Sequence, residues 1–136
     1  LARIPLIAQW MGLMGCIFLD RDDRRKQVAQ IKAAVDHLQS GLSMVIFPEG
    51  TRSHGPDMGP FAPGSLNIAV KAGVRIVPVT LKDTYTLKPK DRFGLPGGEA
   101  AVVLHPPIDT ADLDREGKEG LNDRVKAIIQ QGLDGE

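Results

Sequence analysis

Arginine, glutamate and glycine stand together where an apolar segment near the middle of the chain ends. Leu42-Ser43-Met44-Val45-Ile46 has the composition of a buried strand, and Phe47-Pro48-Glu49-Gly50-Thr51-Arg52-Ser53 follows it directly. We predict a strand over 42–47 that carries these charged groups to the carboxyl edge of a sheet, where open α/β sheets bind their ligands. The planar fork of Arg52 suits phosphate oxygens, and Gly50 lets the backbone approach an anion closely. The segment is therefore a candidate anion-binding turn.

A second arginine follows another predicted strand. Ile17-Phe18-Leu19 is a short apolar segment, and Asp20-Arg21 comes directly after it. If this strand and the strand over 42–47 are parallel, Arg21 and Arg52 converge on one edge of the sheet beside backbone amides. The same residues also fit a structural role, in which Asp20 or Glu49 forms a salt bridge with an arginine and orients it.

Glycine, proline and the spacing of apolar residues predict the elements that position these side chains. One predicted helix begins near Pro5 and stops at Gly15. Another begins at Asp22 or Asp23 and closes at Gly41, and a short one over 65–72 ends at Gly73. The last helix has four apolar residues on one face: Leu121, Val125, Ile128 and Ile129.

Two further strands are predicted, over 75–81 and 100–104, and residues 53–63 and 82–98 are predicted to be irregular. Pro78 removes one ladder hydrogen bond and marks either an edge or a bulge. Strands separated by helices indicate an α/β fold with a mostly parallel central sheet flanked by helices. We expect residues 1–136 to form one domain.

Composition narrows the function classes. The 17 basic and 17 acidic residues cancel, so charge gives no argument for a nucleic-acid partner. The single cysteine, Cys16, excludes an internal disulfide framework and fits a reducing compartment. The chain has no Gly-x-Ser-x-Gly elbow, P-loop or cysteine-rich cluster, which disfavours hydrolase, nucleotide-binding and zinc-binding functions.

The segment 47–53 resembles the phosphate-binding motif of the glycerolipid acyltransferases, the family of 1-acylglycerol-3-phosphate acyltransferases. Three more blocks match this family in the same order, and the resemblance runs from about Ile4 to Ile129. These blocks are Gly15-Cys16-Ile17-Phe18-Leu19-Asp20-Arg21, Pro60-Phe61 with Gly64, and Ile76-Val77-Pro78-Val79-Thr80.

This resemblance implies a function in phospholipid biosynthesis. The expected reaction moves a fatty acyl group from acyl-CoA or acyl-carrier protein to lysophosphatidate, with no cofactor, no metal and no covalent enzyme intermediate. The expected location is the cytoplasmic face of a membrane, to which the protein attaches peripherally or through further segments. The apolar residues around Trp10 then either form an ordinary buried helix or meet the bilayer interface or an acyl channel.

The resemblance also implies roles for the turn. Arg21, Gly50, Thr51 and Arg52 are expected to bind the acceptor phosphate. Glu49 either holds Arg52 or accepts a hydrogen bond from a glycerol hydroxyl, and Ser53 either donates to the ligand or caps the turn.

The chain departs from the family pattern in two places. The residues five positions beyond its three histidines are Leu42, Gly59 and Thr110, so the family's catalytic His-x-x-x-x-Asp motif is missing. We therefore expect this chain to be the carboxyl-terminal part of an acyltransferase domain, inactive alone, with that motif upstream of Leu1. Where the family often carries a lysine, Ala62 and Pro63 stand instead.

Two other functions remain open: an anion-binding module without turnover, and an acyltransferase with a different lipid acceptor. Among the histidines, His37 is expected at the surface and His105 in a structural role. His54 lies nearest the turn but lacks an orienting aspartate, so it is not assigned as a general base.

Overall fold

The computed structural model describes residues 5–17, 24–51, 53, 55–87 and 98–135. They belong to two units, residues 1–44 and 45–136. The elements in chain order are α1 (Pro5–Leu13), α2 (Arg24–Gln39), α3 (Asn67–Ala72), β1 (Val79–Lys82), a 3-10 turn (Thr84–Leu87), β2 (Ala101–Leu104), α4 (Arg115–Glu119) and α5 (Leu121–Asp134).

The first unit contains α1 and α2, which end where the sequence predicts. Gly15 has a φ of +70°, a left-handed conformation that glycine adopts without steric cost. Its amide donates to the carbonyl of Gly12 at 3.0 Å, while the amide of Cys16 donates to Met11 at 2.9 Å. This pair of bonds is a Schellman motif, which satisfies the last carbonyls of the helix.

The predicted buried strand over 42–47 is wrong. These residues are irregular and form no sheet ladder with the described part of the chain. Val45 is 80% exposed and Phe47 66% exposed. A strand exists through hydrogen bonds to a neighbour, and apolar composition alone does not supply that neighbour. The other strand of the predicted parallel pair lies mostly outside the described residues, since only Ile17 of 17–19 is described and it belongs to no strand.

The sheet of the second unit is a two-stranded antiparallel ladder. Val79 pairs with Leu104 and Lys82 with Ala101. A separate antiparallel bridge joins Ile76 to Ile108. Two residues separate Ile76 from Val79, but three separate Leu104 from Ile108, so the second strand has one extra residue. That extra residue is a β-bulge, and it lies on the strand opposite the one that carries Pro78.

The core of the second unit lies between α5, α3 and the segment that follows β2. As predicted, the apolar face of α5 turns inward: Leu121 and Val125 are buried with Leu66 and Ile108, and Ile128 and Ile129 pack against them. The short helix α3 ends at Gly73, again as predicted.

A polar contact lies between the sheet and α5. The hydroxyl of Thr80, which is fully buried, lies 2.8 Å from Nε2 of His105 on the bulged strand. The same hydroxyl donates to the main-chain oxygen of Ile129 in α5 at 3.1 Å. The structural role predicted for His105 is therefore confirmed, and β1, the bulge and α5 meet at one buried hydroxyl.

The opposite face of the ladder is apolar and open to solvent. Val79 and Leu81 lie on it beside Val102 and Leu104, and these four side chains are 37–72% exposed. Within the described residues, no helix has both the length and the apolar character needed to cross a bilayer.

Candidate functional site

The candidate turn is built by a proline and a glycine. The amide of Gly50 donates to the carbonyl of Phe47 at 3.0 Å, which closes a four-residue β-turn with Pro48 in its second position. Proline at this position and glycine at the fourth favour a type I turn. Gly50 then has a φ of +67°, so the chain leaves the turn in the left-handed conformation. Thr51 follows on the surface and is exposed.

The carboxylate of Glu49 has a main-chain partner ten residues ahead. Its Oε2 accepts a hydrogen bond from the amide of Gly59 at 2.8 Å, and the Glu49 side chain is half-buried. The sequence did not predict this partner, and the two contacts suggested for Glu49, with Arg52 and with a glycerol hydroxyl, stay predictions. Gly59 had no predicted role; the Gly59-Pro60 pair is a turn signal in the sequence, but it does not indicate which side chain the amide contacts.

A second hydrogen bond lies beside the first. The amide of Ala62 donates to the carbonyl of Pro48 at 2.8 Å. Together the two bonds join the beginning and the end of residues 48–62, which we call the closed loop. The residues of the predicted anion site, 49–53, lie at the start of this loop.

Ser53 has a local role. Its hydroxyl donates to the carbonyl of Gly55 at 2.6 Å, and the exposed side chain is bonded within its own turn. Serine commonly makes such contacts within turns, and the donation of a hydrogen bond from Ser53 to a ligand stays a prediction.

Two residues of the predicted site, Arg21 and Arg52, lie outside the described residues, and so does His54, which was not assigned to the site. The predicted convergence of the two arginines therefore stays a prediction. Among the other histidines, His37 is half-buried rather than fully at the surface, and His105 is bonded to Thr80.

The described part of the site suits recognition rather than proton transfer. It offers an exposed turn, a left-handed glycine and a hydroxyl at Thr51, while the only carboxylate of the turn, Glu49, is bonded to a main-chain amide. One oxygen of this carboxylate is therefore engaged within the loop rather than left open to solvent.

The chain is similar in sequence to a known protein family and to several of its members. The family model described as Acyltransferase matches residues 1–82. A 1-acyl-sn-glycerol-3-phosphate acyltransferase from Borreliella burgdorferi is 35% identical over 134 residues, which are 98% of this chain and 54% of that protein. The chloroplastic enzyme BAT2 from Brassica napus is 42% identical over 106 residues, 77% of this chain and 31% of its own length.

A solved structure is similar over the same range. The 1-acyl-sn-glycerophosphate acyltransferase PlsC from Thermotoga maritima matches with a TM-score of 0.82 and 31% identity, covering 98% of this chain and 52% of that protein. This similarity confirms the α/β fold class predicted from the sequence. The chain spans about half the length of the bacterial relatives and about a third of the plant relative.

Proposed function

This chain belongs to the glycerolipid acyltransferase family. We propose on that basis that it takes part in the transfer of a fatty acyl group to 1-acylglycerol 3-phosphate. The Phe47–Thr51 turn carries the proposal, because an exposed turn with Gly50 in the left-handed conformation stands where the family has its phosphate-binding motif. The relatives named as 1-acyl-sn-glycerol-3-phosphate acyltransferases support the same acceptor.

The part assigned to this chain is binding of the acceptor phosphate. Arg52 follows the turn directly, and a guanidinium fork can hold two phosphate oxygens at once. Arg21 and Thr51 add a second charge and a hydroxyl. The chemistry requires a base to take the proton of the acceptor hydroxyl, after which the oxygen attacks the thioester carbonyl and the thiol leaves. By resemblance, the base is the histidine of a His-x-x-x-x-Asp motif.

We also propose that residues 1–136 act as one acyltransferase domain. The family match over residues 1–82 continues across position 44, where the two structural units meet in sequence. The donor is proposed to be acyl-CoA or acyl-carrier protein. Because the acceptor carries a fatty acyl chain, we place the protein at the cytoplasmic face of a membrane.

One observation favours a second candidate function. None of the three histidines has an aspartate five residues later. A chain without that motif can bind a phosphorylated glycerol and release it unchanged, which makes an anion-binding module the alternative.

A chimera tests the proposal. This chain replaces its matching region in the Borreliella burgdorferi relative, and thiol release from acyl-CoA is followed with lysophosphatidate and with a panel of other lysophospholipids and an ornithine lysolipid. Thiol release that depends on lysophosphatidate supports the proposal. A preference for another acceptor would show that lysophosphatidate is not the acceptor. Binding of lysophosphatidate by a chimera that releases no thiol supports the anion-binding alternative, provided that the unaltered relative is active in the same assay.

A further inference from the structure

We propose that Glu49 is a positioning residue, whose bond to the amide of Gly59 fixes the anion-binding turn in its receptive shape. This inference rests on the proposed function of the turn and adds a specific role for Glu49 and for Gly59. Glu49 does not contact the acceptor in this scheme. It acts through the main chain of the closed loop.

The bond is placed where it can control the turn. Glu49 occupies the third position of the β-turn, directly before Gly50, so its side chain and the turn share one stretch of backbone. Its Oε2 lies 2.8 Å from the amide nitrogen of Gly59, a distance typical of a strong charge-assisted hydrogen bond. The Ala62–Pro48 bond, also 2.8 Å, lies beside it at the same end of the closed loop. The turn is therefore anchored by two neighbouring bonds.

The charge of Glu49 would otherwise oppose the function of the turn. A free carboxylate one residue from Gly50 repels a phosphate, and the repulsion is larger where solvent screens it less. Glu49 is half-buried, and its Oε2 is held by the amide of Gly59 inside the loop. In this scheme the same bond joins two parts of the backbone and keeps the carboxylate in one position.

Gly59 is suited to this contact because it has no side chain. A Cβ atom at position 59 would lie 2.8 Å from Oε2 of Glu49 and 3.7 Å from its Cδ. Gly59 is not among the described residues with positive φ, so alanine fits its backbone and disturbs only the carboxylate. Gly55 provides a matched control in the same loop, since a Cβ there meets no described atom within 4 Å and its φ is likewise not positive.

The test measures binding of glycerol 3-phosphate to the isotopically labelled chain by NMR titration, with glycerol as the uncharged control. We expect Gly59→Ala to weaken binding about tenfold. This loss corresponds to the lower end of the free-energy range for one charge-assisted hydrogen bond. Gly55→Ala should stay within about twofold of the unsubstituted chain. Glu49→Gln should bind almost normally, because its amide oxygen can still accept from Gly59, whereas Glu49→Ala should behave like Gly59→Ala.

Hydrogen exchange at the Gly59 amide is measured on the same samples. We expect exchange to be slow in the unsubstituted chain and in Glu49→Gln, and fast in Glu49→Ala. If the substitutions only loosened the loop in general, the isosteric glutamine would not restore slow exchange. Equal binding by Gly59→Ala and Gly55→Ala, or equally weak binding by both Glu49 variants, would overturn the inference while leaving the proposed function intact. Failure of the unsubstituted chain to prefer glycerol 3-phosphate over glycerol would overturn both.

Discussion

Gly132 in α5 is the residue at which a single added methyl group should disturb the fold most clearly. The residue is buried against the contact between Thr80 and His105. A Cβ at position 132 would lie 2.8 Å from Nε2 and 2.9 Å from Cε1 of His105, and closer still to Oγ1 of Thr80. None of these atoms belongs to the far end of a long, flexible side chain, so α5 or the bulged strand must shift to admit the methyl group.

Two effects oppose each other in Gly132→Ala. Alanine is favoured over glycine inside a helix by about 1 kcal/mol. Overpacking a dense interior costs about 1–3 kcal/mol, and distortion of the Thr80 hydrogen bonds adds roughly 0.5–1.5 kcal/mol. The steric and hydrogen-bond terms together exceed the helix preference, so we expect the free energy of unfolding to fall by about 0.5–3.5 kcal/mol.

Gly12 in α1 is the matched control. It is also a helical glycine, but a Cβ there meets no described atom within 4 Å. Only the helix preference acts on Gly12→Ala, so its free energy of unfolding should stay equal or rise by up to about 1 kcal/mol. Urea unfolding monitored by circular dichroism compares the two variants, with the slope of the transition checked for two-state behaviour.

A double-mutant cycle identifies the clash itself. Thr80→Ala removes the oxygen that a methyl group at position 132 would approach most closely. We therefore expect the double variant Gly132→Ala/Thr80→Ala to be more stable than the sum of the two single changes predicts. Strict additivity, or a Gly132→Ala protein as stable as the Gly12→Ala protein, would refute the assignment of Gly132 as the contact point of α5.

Four further outcomes are expected. In the chimera, Arg52→Ala should weaken lysophosphatidate binding about tenfold or more, and Arg52→Lys less, because lysine keeps the charge and loses the fork; equal affinity in all three proteins would remove Arg52 from the site. Arg21→Ala should weaken binding similarly, and an unchanged dissociation constant would contradict the convergence of the two arginines. This chain alone should release no thiol from acyl-CoA at an enzyme-like rate, because a positioned base contributes about 10²–10⁴-fold; turnover abolished by His54→Ala would assign that base to His54. Thr80→Val should lower the free energy of unfolding by about 1–2 kcal/mol and Thr80→Ser by less, since serine keeps the buried hydroxyl; an equal loss in both would show that the hydroxyl is not the stabilising group.

Local signals in the sequence account for the parts of the fold that were predicted correctly. Helix ends depend on a few neighbouring residues, and Gly15, Gly41 and Gly73 each follow a helix that stops where the glycine indicates. The apolar spacing of Leu121 and Val125 likewise predicts the inward face of α5, because burial follows the helical period.

Long-range pairing accounts for what the sequence did not predict. The apolar residues over 42–47 favour burial but do not specify a partner strand. The described structure supplies no partner strand for them. The extra residue between His105 and Ile108 depends on the register of two segments that are far apart in the sequence. In the same way, the sequence predicts Glu49 as a site residue but not its contact with Gly59, because that contact arises from how the loop folds back.

The closed loop has a consequence for how this site can change during evolution and in engineering. Its two closing bonds, from Gly59 to Glu49 and from Ala62 to Pro48, lie at the base of the loop, whereas Pro56 between the bonded positions is exposed. Doubling the length of a flexible loop adds only about 0.6 kcal/mol of closure entropy. Residues inserted after Pro56 are therefore expected to lengthen the loop while both closing bonds are kept. A fluorescent or affinity tag placed there would lie within a few residues of the candidate turn.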